Sequence, residues 1–268
     1  MPEPKINLGP AGNCDKDILS SLNRLKNELR LQAQEVEFTF GVKMGNDTAK
    51  KAGELRQKLE IELSVHAPYY INLSTEEDSK LKNSFNWIFL SCERSHHMGA
   101  KSIVFHPGFY LKKNPEKTFD IILENVKYLK KEIKKRGWDV ELAPETTGKL
   151  SAFGSLDEII ELAKKAKCGF CVDFAHLYAR QHGKIDFAEV LDKLKSFKHI
   201  HSHFSSIEFT DKGERRHLGI SAGKPSFEEL AKELLERDVN ITIICESPDT
   251  WRDSLEMKKI LEDLGYKF

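Results

Sequence analysis

The sequence has no excess of charge of either sign, because 42 lysines and arginines are balanced by 42 aspartates and glutamates. A uniformly basic surface that binds any polyanion is therefore excluded, and a nucleic acid would have to meet a local face of the protein. The five cysteines are scattered, which predicts reduced thiols rather than a disulfide framework. No apolar run could span a bilayer, and the opening MPEPKINLGPAG lacks the apolar core of a secretory signal. We expect a cytoplasmic protein without a membrane partner.

Two short motifs that often bind cofactors or metals are also absent or out of place. The segment Leu8–Gly12 does not have the spacing of a dinucleotide-binding GxGxxG loop, so an organic cofactor is not expected. Cys168 and Cys171 have CxxC spacing, but reactive pairs of this kind begin a helix and this one leads into a strand. We interpret both cysteines as small buried apolar groups.

Short apolar runs alternate with amphipathic stretches along the whole chain. The best helix has apolar residues at three- and four-residue steps from Phe119 to Ile133, begins after Asn114 and ends at Gly137. The predicted strands are Ile6–Leu8, Val36–Phe40, Leu63–Ala67, Ser102–His106, Asp139–Ala143, Phe170–Ala175, Ile200–Phe204 and Thr242–Glu246. Eight strand-then-helix units predict an α/β protein with one (β/α)8 TIM barrel domain spanning residues 1–268. An open doubly wound sheet is the alternative, and the missing phosphate loop argues against it.

Polar residues that can bind metals follow six consecutive predicted strands. In a barrel, the carboxyl ends of the strands converge on one face, where the active site is built. Imidazole and carboxylate groups without thiolates suit zinc or manganese, and this number of donors exceeds the need of one ion. The sequence therefore predicts two or three ions, which together could hydrolyse a substrate. The candidate ligands are His66, His106, Glu145, Asp173, His176, His201, His217 and Glu246.

These residues lie in motifs that resemble the endonuclease IV family from about the third predicted strand onward. The resemblance covers His66–Leu73 (HAPYYINL), Phe105–Gly108 (FHPG), Glu145, Cys171–His176 (CVDFAH), His201, His217 with Gly219 and Gly223, and Cys245–Pro248 (CESP). The family comprises metal-dependent apurinic/apyrimidinic endonucleases on a (β/α)8 barrel. The resemblance implies cleavage of damaged double-stranded DNA on the 5′ side of an abasic site by a metal-bound hydroxide, in a monomer that holds zinc.

The resemblance also implies a role for each candidate residue. His66 and His106 would bind one ion together with Glu145, a catalytic bridge to the second ion. Asp173, His201 and Glu246 would complete the site of the second ion, and His176 and His217 would bind the third. Tyr69 matches a tyrosine close to the damaged nucleotide.

The sequence departs from the family in three places. Near its start, Leu8–Gly12 replaces a His-Val-Ser-containing stretch of the family. The family has an aspartate two residues before the histidine that matches His217, where this chain has Arg215 and one extra residue. We expect Glu214 to replace that aspartate; His203 is the other candidate substitute. The loop that penetrates the DNA base stack in the family has no clear match in Gly41–Asn46.

Two other functions are compatible with the sequence. A sugar isomerase or epimerase on a related barrel would use a single ion held by Glu145, Asp173, His201 and Glu246, and its glutamates would exchange protons with substrate carbons. A barrel that binds metals but has lost turnover is the other alternative, supported by Arg215 and the altered loop. The number of bound ions distinguishes the isomerase from the nuclease.

Overall fold

A computed structural model describes residues 5–111 and 113–268. Ten strands alternate with helices along these residues. The strands are β1 (Ile6–Pro10), β2 (Ala33–Glu37), β3 (Glu62–His66), β4 (Ser102–Phe105), β5 (Glu141–Pro144), β6 (Cys171–Asp173), β7 (Ile200–Phe204), β8 (Ser206–Thr210), β9 (Gly213–Leu218) and β10 (Ile241–Cys245). The α-helices are α1 (Ile18–Arg24), α2 (Asn46–Leu59), α3 (Asp78–Met98), α4 (Pro115–Lys135), α5 (Leu156–Ala166), α6 (Phe174–Arg180), α7 (Phe187–Leu194), α8 (Phe227–Glu236) and α9 (Thr250–Asp263).

Eight of the strands form the wall of a parallel ring. One sheet has the order β1-β10-β7-β6 and the other has the order β2-β3-β4-β5. A parallel bridge between Ala11 and Glu35 joins the sheets at one seam, and a second between Glu145 and Cys171 joins them at the other. This arrangement is the predicted (β/α)8 barrel, with β8 and β9 as an added antiparallel hairpin after β7.

The first seam depends on a glycine. A Cβ atom on Gly9 would lie 1.7 Å from the carbonyl oxygen of Ala33, so any larger residue would push β2 away from β1. With glycine there, the amide of Gln32 donates to the carbonyl of Leu8 and the amide of Gly12 donates to the carbonyl of Glu35. The close approach brings the end of β2 to the mouth of the barrel.

The helices combine capping residues at their first turns with apolar faces that can be buried. Asn114 caps α4 by accepting a hydrogen bond from the amide of Lys117 at 2.7 Å, and Pro115 occupies the first turn as predicted. Ser155 and Glu158 form a capping box at the start of α5. The buried apolar faces of these helices pack on the outside of the ring in one continuous core. Of the helices in the described part of the chain, none combines the length and apolar character needed to cross a membrane.

Three local features differ from the sequence-based expectations. The sequence predicts the second strand at Val36–Phe40, but β2 spans Ala33–Glu37. It predicts a sixth strand that continues to Ala175, but β6 ends at Asp173, which caps α6 directly. The β8–β9 hairpin is not predicted, because its strands are short and largely polar.

Candidate metal centre

The carboxylate of Glu145 lies at the middle of a cluster of histidines and acids at the mouth of the barrel. It follows β5 and its side chain is fully buried. Its Oε2 atom is 3.3 Å from His66 Nε2 and 3.0 Å from His106 Nε2. Its Oε1 atom is 2.9 Å from His203 Nδ1 and 3.5 Å from His176 Nδ1. The two oxygens therefore face two different sets of imidazoles, as a carboxylate that bridges two cations would.

The first set contains His66 at the end of β3 and His106 immediately after β4. Their ligand atoms and that of Glu145 lie within 4.8 Å of one another. The Nδ1 atom of His66 is 2.8 Å from the carbonyl oxygen of Ala67, which leaves Nε2 to face Glu145. The structure thus brings together the three residues expected to hold the first ion.

The second set differs from the expected one by one histidine. Glu145, Asp173 and Glu246 lie together, but their imidazole partner is His203 and not His201. The two histidines are two residues apart on β7, so their side chains lie on the same face of the strand. This face points into the barrel. His203 lies nearer the mouth, with Nδ1 3.2 Å from Glu246 Oε1, whereas His201 lies one layer deeper and contacts Glu35. The structure therefore places His203 in the second set, and His201, which was expected there, lies beside His203 with Cys171 in a separate group of possible ligands.

A third set contains Asp173, His176 and His217, whose ligand atoms also lie within 4.8 Å of one another. Because α6 begins directly after β6, Asp173 and His176 are one helical turn apart, and Asp173 Oδ1 accepts a hydrogen bond from the His176 amide at 2.7 Å. Glu214 Oε2 is 3.4 Å from His176 Nε2. The structure thus places Glu214 beside this set, where we expected it to replace the missing aspartate.

The extra residue in this region is accommodated by a β-bulge. Glu208 pairs with Arg216 and Phe209 pairs with Glu214, so Arg215 has no partner across the hairpin. In an uninterrupted strand, residues 214 and 217 would point to opposite faces. The bulge shifts the alternation by one residue, which turns Glu214 toward His176 and leaves Arg215 exposed, paired with Glu208.

A second glycine allows the hairpin to approach this set. A Cβ atom on Gly148 would lie 2.6 Å from the Cβ of Glu214 and 3.2 Å from Cδ2 of His176. The amide of Glu214 donates to the carbonyl of Gly148, and Gly213 packs against the same carbonyl. The loop after β5 therefore holds the bulged strand over the barrel mouth.

Sequence reasoning missed two acids on β2. The predicted strand begins three residues too late and omits Glu35, and it includes Glu37 without assigning its side chain to the barrel interior. Glu35 is fully buried, and oxygens of Glu35, Glu37 and Glu246 lie within 4.8 Å of one another. The signal that could have found them is the polar–apolar alternation Glu35-Val36-Glu37-Phe38, which is unusual in a strand of a buried parallel sheet.

The buried charges in the cluster shift each other's ionisation. Burial alone would raise the pKa of Glu145, but His203 and His106 outweigh it and hold that pKa well below its usual range. Burial opposes protonation of His66, yet Glu145 and Glu37 raise its pKa to about 10. Asp173 and Glu214 likewise raise the pKa of His176 to about 9 against the effect of burial. In the protein alone, protons on the imidazoles therefore balance the carboxylates.

The cluster fits divalent cations. Imidazole nitrogens and carboxylate oxygens are zinc and manganese ligands, and the Oδ2 atom of Asp173 is buried without a hydrogen-bond partner among the described residues. Cations would displace the protons from the histidines and neutralise the same carboxylates.

A cleft of about 470 Å³ opens onto the cluster. Tyr69 lies in its wall, with its ring centroid 5.4 Å from that of His66. Burial, and then the charge of Glu246, raise the pKa of Tyr69, so its hydroxyl stays protonated at neutral pH. Lys149, Arg215 and Arg216 also line the cleft. The cleft thus joins the cluster to an aromatic ring and three cations.

The chain matches the xylose isomerase-like TIM barrel family over residues 28–263. The chain belongs to this family. It is 37% identical over 247 residues to MJ0133, an uncharacterized protein of Methanocaldococcus jannaschii, and the match covers 88% of this chain and 89% of the relative. It is 30% identical over 199 residues to the "Probable endonuclease 4" of Mycoplasmopsis synoviae, with coverage of 70% and 69%. The resemblance to endonuclease IV found in the motifs is thereby confirmed.

Superposition on solved structures confirms the fold. Endonuclease IV from Thermus thermophilus superposes with a TM-score of 0.74 at 19% identity, covering 96% of this chain and 99% of that chain. A D-tagatose 3-epimerase-like protein superposes with a TM-score of 0.72 at 20% identity, covering 96% of each chain. Nuclease and epimerase neighbours share the barrel, so the fold alone does not select between them.

Proposed function

We propose that this protein is a metal-dependent phosphodiester hydrolase that cleaves double-stranded DNA on the 5′ side of abasic sites. The observation that carries the proposal is the position of Glu145, whose two oxygens face separate imidazole sets within 3.5 Å. A carboxylate shared in this way suits a centre with more than one ion. Hydrolysis of a phosphodiester uses such a centre to stabilise both the attacking and the leaving oxygen.

Each set of residues has a proposed ion. His66, His106 and Glu145 would hold the first, and Glu145, Asp173, His203 and Glu246 would hold the second. His176, His217 and Glu214 would hold the third. Bound zinc, or manganese in its place, supplies Lewis acidity that lowers the pKa of water and neutralises the departing oxygen.

The rim of the cleft favours an anionic substrate. Lys149, Arg215 and Arg216 surround the opening and could contact phosphates on either side of the scissile bond. The neutral phenol of Tyr69 is placed to contact the sugar or phosphate beside the cluster. These residues supply a local cationic face despite the zero formal net charge of the chain.

The test is incubation with a duplex that carries one abasic-site analogue, labelled at the 5′ end of the damaged strand. We expect a single cut 5′ to the lesion, a 3′-hydroxyl on the labelled fragment, and no cleavage after treatment with a chelator. An intact duplex after incubation with the zinc-loaded protein would contradict the proposal.

The variant that isolates the bridge is Glu145→Gln. We expect cleavage to fall by more than about 100-fold, because loss of a residue that only supports a ligand already costs roughly 10–100-fold. Glu62→Gln is the matched control, since Glu62 lies at the opposite end of the barrel and also faces a histidine, His199, at 3.9 Å. Equal cleavage by the two variants would remove Glu145 from the mechanism.

A sugar isomerase or epimerase is the second candidate, and one observation favours it. The second set contains two glutamates, one aspartate and one histidine, the composition expected for the single ion of such an enzyme. Metal analysis of the purified protein distinguishes the two functions. We expect more than one zinc or manganese ion per chain in the wild-type protein. A wild-type protein that binds a single ion, and still binds it when His66 and His176 are both substituted, would favour the isomerase.

A further inference from the structure

A buried acid lies directly behind the proposed metal centre. Glu35 on β2 is fully buried and belongs to none of the three proposed ion sites. Its Oε2 atom accepts a hydrogen bond from Ser64 Oγ at 2.6 Å and lies 3.1 Å from His201 Nε2. Its Oε1 atom lies 2.8 Å from His203 Nε2, and among the described residues neither of these two buried atoms has a hydrogen-bond partner. One carboxylate thus contacts both histidines of β7 from the opposite side of the barrel.

The two nitrogens of His203 face different partners. Nδ1 lies 2.9 Å from Glu145 Oε1 and 3.2 Å from Glu246 Oε1, within the second set. Nε2 faces Glu35. A neutral imidazole has one nitrogen that carries the proton and one that is free to bind a metal. A carboxylate behind Nε2 favours the tautomer in which Nδ1 is the free nitrogen.

Residues on neighbouring strands of the barrel hold the side chain of Glu35 in place. Glu35 and Ser64 are register partners on β2 and β3, so the hydroxyl is held next to the carboxylate by strand pairing. His201 contacts the same oxygen from β7. The two oxygens of Glu35 thus contact Ser64, His201 and His203, which come from two other strands of the ring. A buried carboxylate held in one place therefore lies behind the histidine.

We propose that Glu35 is a positioning residue that holds His203 with Nε2 protonated and Nδ1 directed at the second ion. This proposal rests on the metal centre of the proposed function. In this arrangement the carboxylate orients the imidazole and increases its basicity as a ligand. Ser64 and His201 both contact the Oε2 atom of Glu35, so in this proposal they help to hold the carboxylate in place behind His203.

The experiment compares zinc affinity in the wild-type protein, Glu35→Gln and the control Glu62→Gln, measured by competition with a chelator of known affinity. Glutamine keeps the size of the side chain but loses its charge. We expect Glu35→Gln to bind the second zinc ion about 10–100-fold less tightly than the wild type does. Glu62→Gln should bind it as tightly as the wild type. Ser64→Ala, which removes only the donor to Glu35, should show a smaller loss in the same direction and serves if Glu35→Gln does not fold.

A second measurement reports the tautomer directly. Long-range ¹H–¹⁵N correlation spectra of the zinc-loaded protein, labelled at histidine nitrogens, should show His203 protonated at Nε2 in the wild type. A proton on Nδ1, or zinc affinity unchanged in Glu35→Gln, would overturn the proposal. Failure of the wild-type protein to bind zinc would overturn both this proposal and the metal centre. Weakened zinc binding together with an uncleaved abasic duplex would support the role of Glu35 and contradict the nuclease.

Discussion

The interior of the barrel is polar at both ends, but the two ends differ in how their charges are enclosed. At the amino end, Asn7 donates to Glu62 at 2.6 Å and Thr242 donates to it at 3.0 Å. His199 lies 3.9 Å from Glu62, and both side chains are about two-fifths exposed. Water can therefore solvate this pair, and its contribution to stability is small.

At the carboxyl end, the same residue types are buried and shared. Glu145, His203 and Glu35 are fully buried, and each carboxylate contacts more than one imidazole. Charges that water cannot reach must be balanced by protons or cations from within the cluster. The comparison teaches that a glutamate–histidine contact alone does not indicate a metal site, whereas buried carboxylates that share several imidazoles do.

The largest difference between the two ends should come from the histidines. We expect His203→Gln to weaken zinc binding by more than about 100-fold, because it removes the ligand proposed for the second ion. His201→Gln should cost at most about tenfold, since His201 contacts Glu35 and lies outside the three proposed ion sites. His199→Gln, at the amino end, should have no effect. Chelator competition measures all three, and a larger loss in His201→Gln than in His203→Gln would reverse the assignment of the second set.

Substitutions of two neighbouring residues at the bulge should differ in their effect on zinc binding, by less than the histidine substitutions do. Glu214→Gln removes a charged oxygen 3.4 Å from His176 and should weaken the third ion by about tenfold. Arg215→Ala removes an exposed side chain that pairs with Glu208, so zinc stoichiometry and affinity should not change. Metal content after dialysis against a dilute chelator is the measurement. Retention of all ions by Glu214→Gln would show that the third set does not need Glu214.

The smallest effect is a pH dependence of stability in the metal-free protein. The pKa values of His66 and His176 are raised from 6.5 to about 10 and about 9, so the folded protein binds more protons than the unfolded chain above pH 6.5. The stabilisation is therefore fully present below about pH 6.5 and is lost as pH rises through these two values.

Scanning calorimetry in chelator at about pH 7, 8 and 9 should show a falling Tm, by roughly 2–4 °C for each kcal/mol lost. Zinc takes the place of the protons, so the difference in Tm between zinc-loaded and chelated protein should widen over the same range. Glu62→Gln should leave this slope unchanged, because the amino-end pair is exposed. A Tm that rises with pH in chelator would contradict the assigned protonation of the cluster.

The sequence was sufficient to predict the ring and the first set of ligands. His66, His106 and Glu145 each follow an apolar run directly, so a small error in the strand boundary does not change which end of the barrel they occupy. The candidate ligands His176 and His217 lie around the same cleft, together with Tyr69, which the motif-based resemblance added.

Other residues could not be assigned from the sequence for physical reasons. His201 and His203 lie on the same face of β7 at different depths in the barrel. Because of this difference in depth, His203 contacts Glu145 and His201 contacts Glu35. The alternation of Val36, Phe38 and Phe40 suggests a strand, while the true strand begins earlier and turns its glutamates inward. That choice depends on the close approach of β1 and β2 at Gly9, a contact between distant parts of the chain.

The bulge at Arg215 has a consequence for comparing this chain with its relatives. An inserted residue in a hairpin normally displaces everything that follows it, yet here His217 still pairs with Ile207, and Arg215 is the residue of β9 skipped at the bulge. A column-by-column alignment to the expected family pattern would therefore set Arg215 against the expected aspartate and indicate a lost ligand. Allowing a one-residue gap inside the strand restores an acid at that place, so chemistry in this lineage is better compared by side-chain direction than by position number.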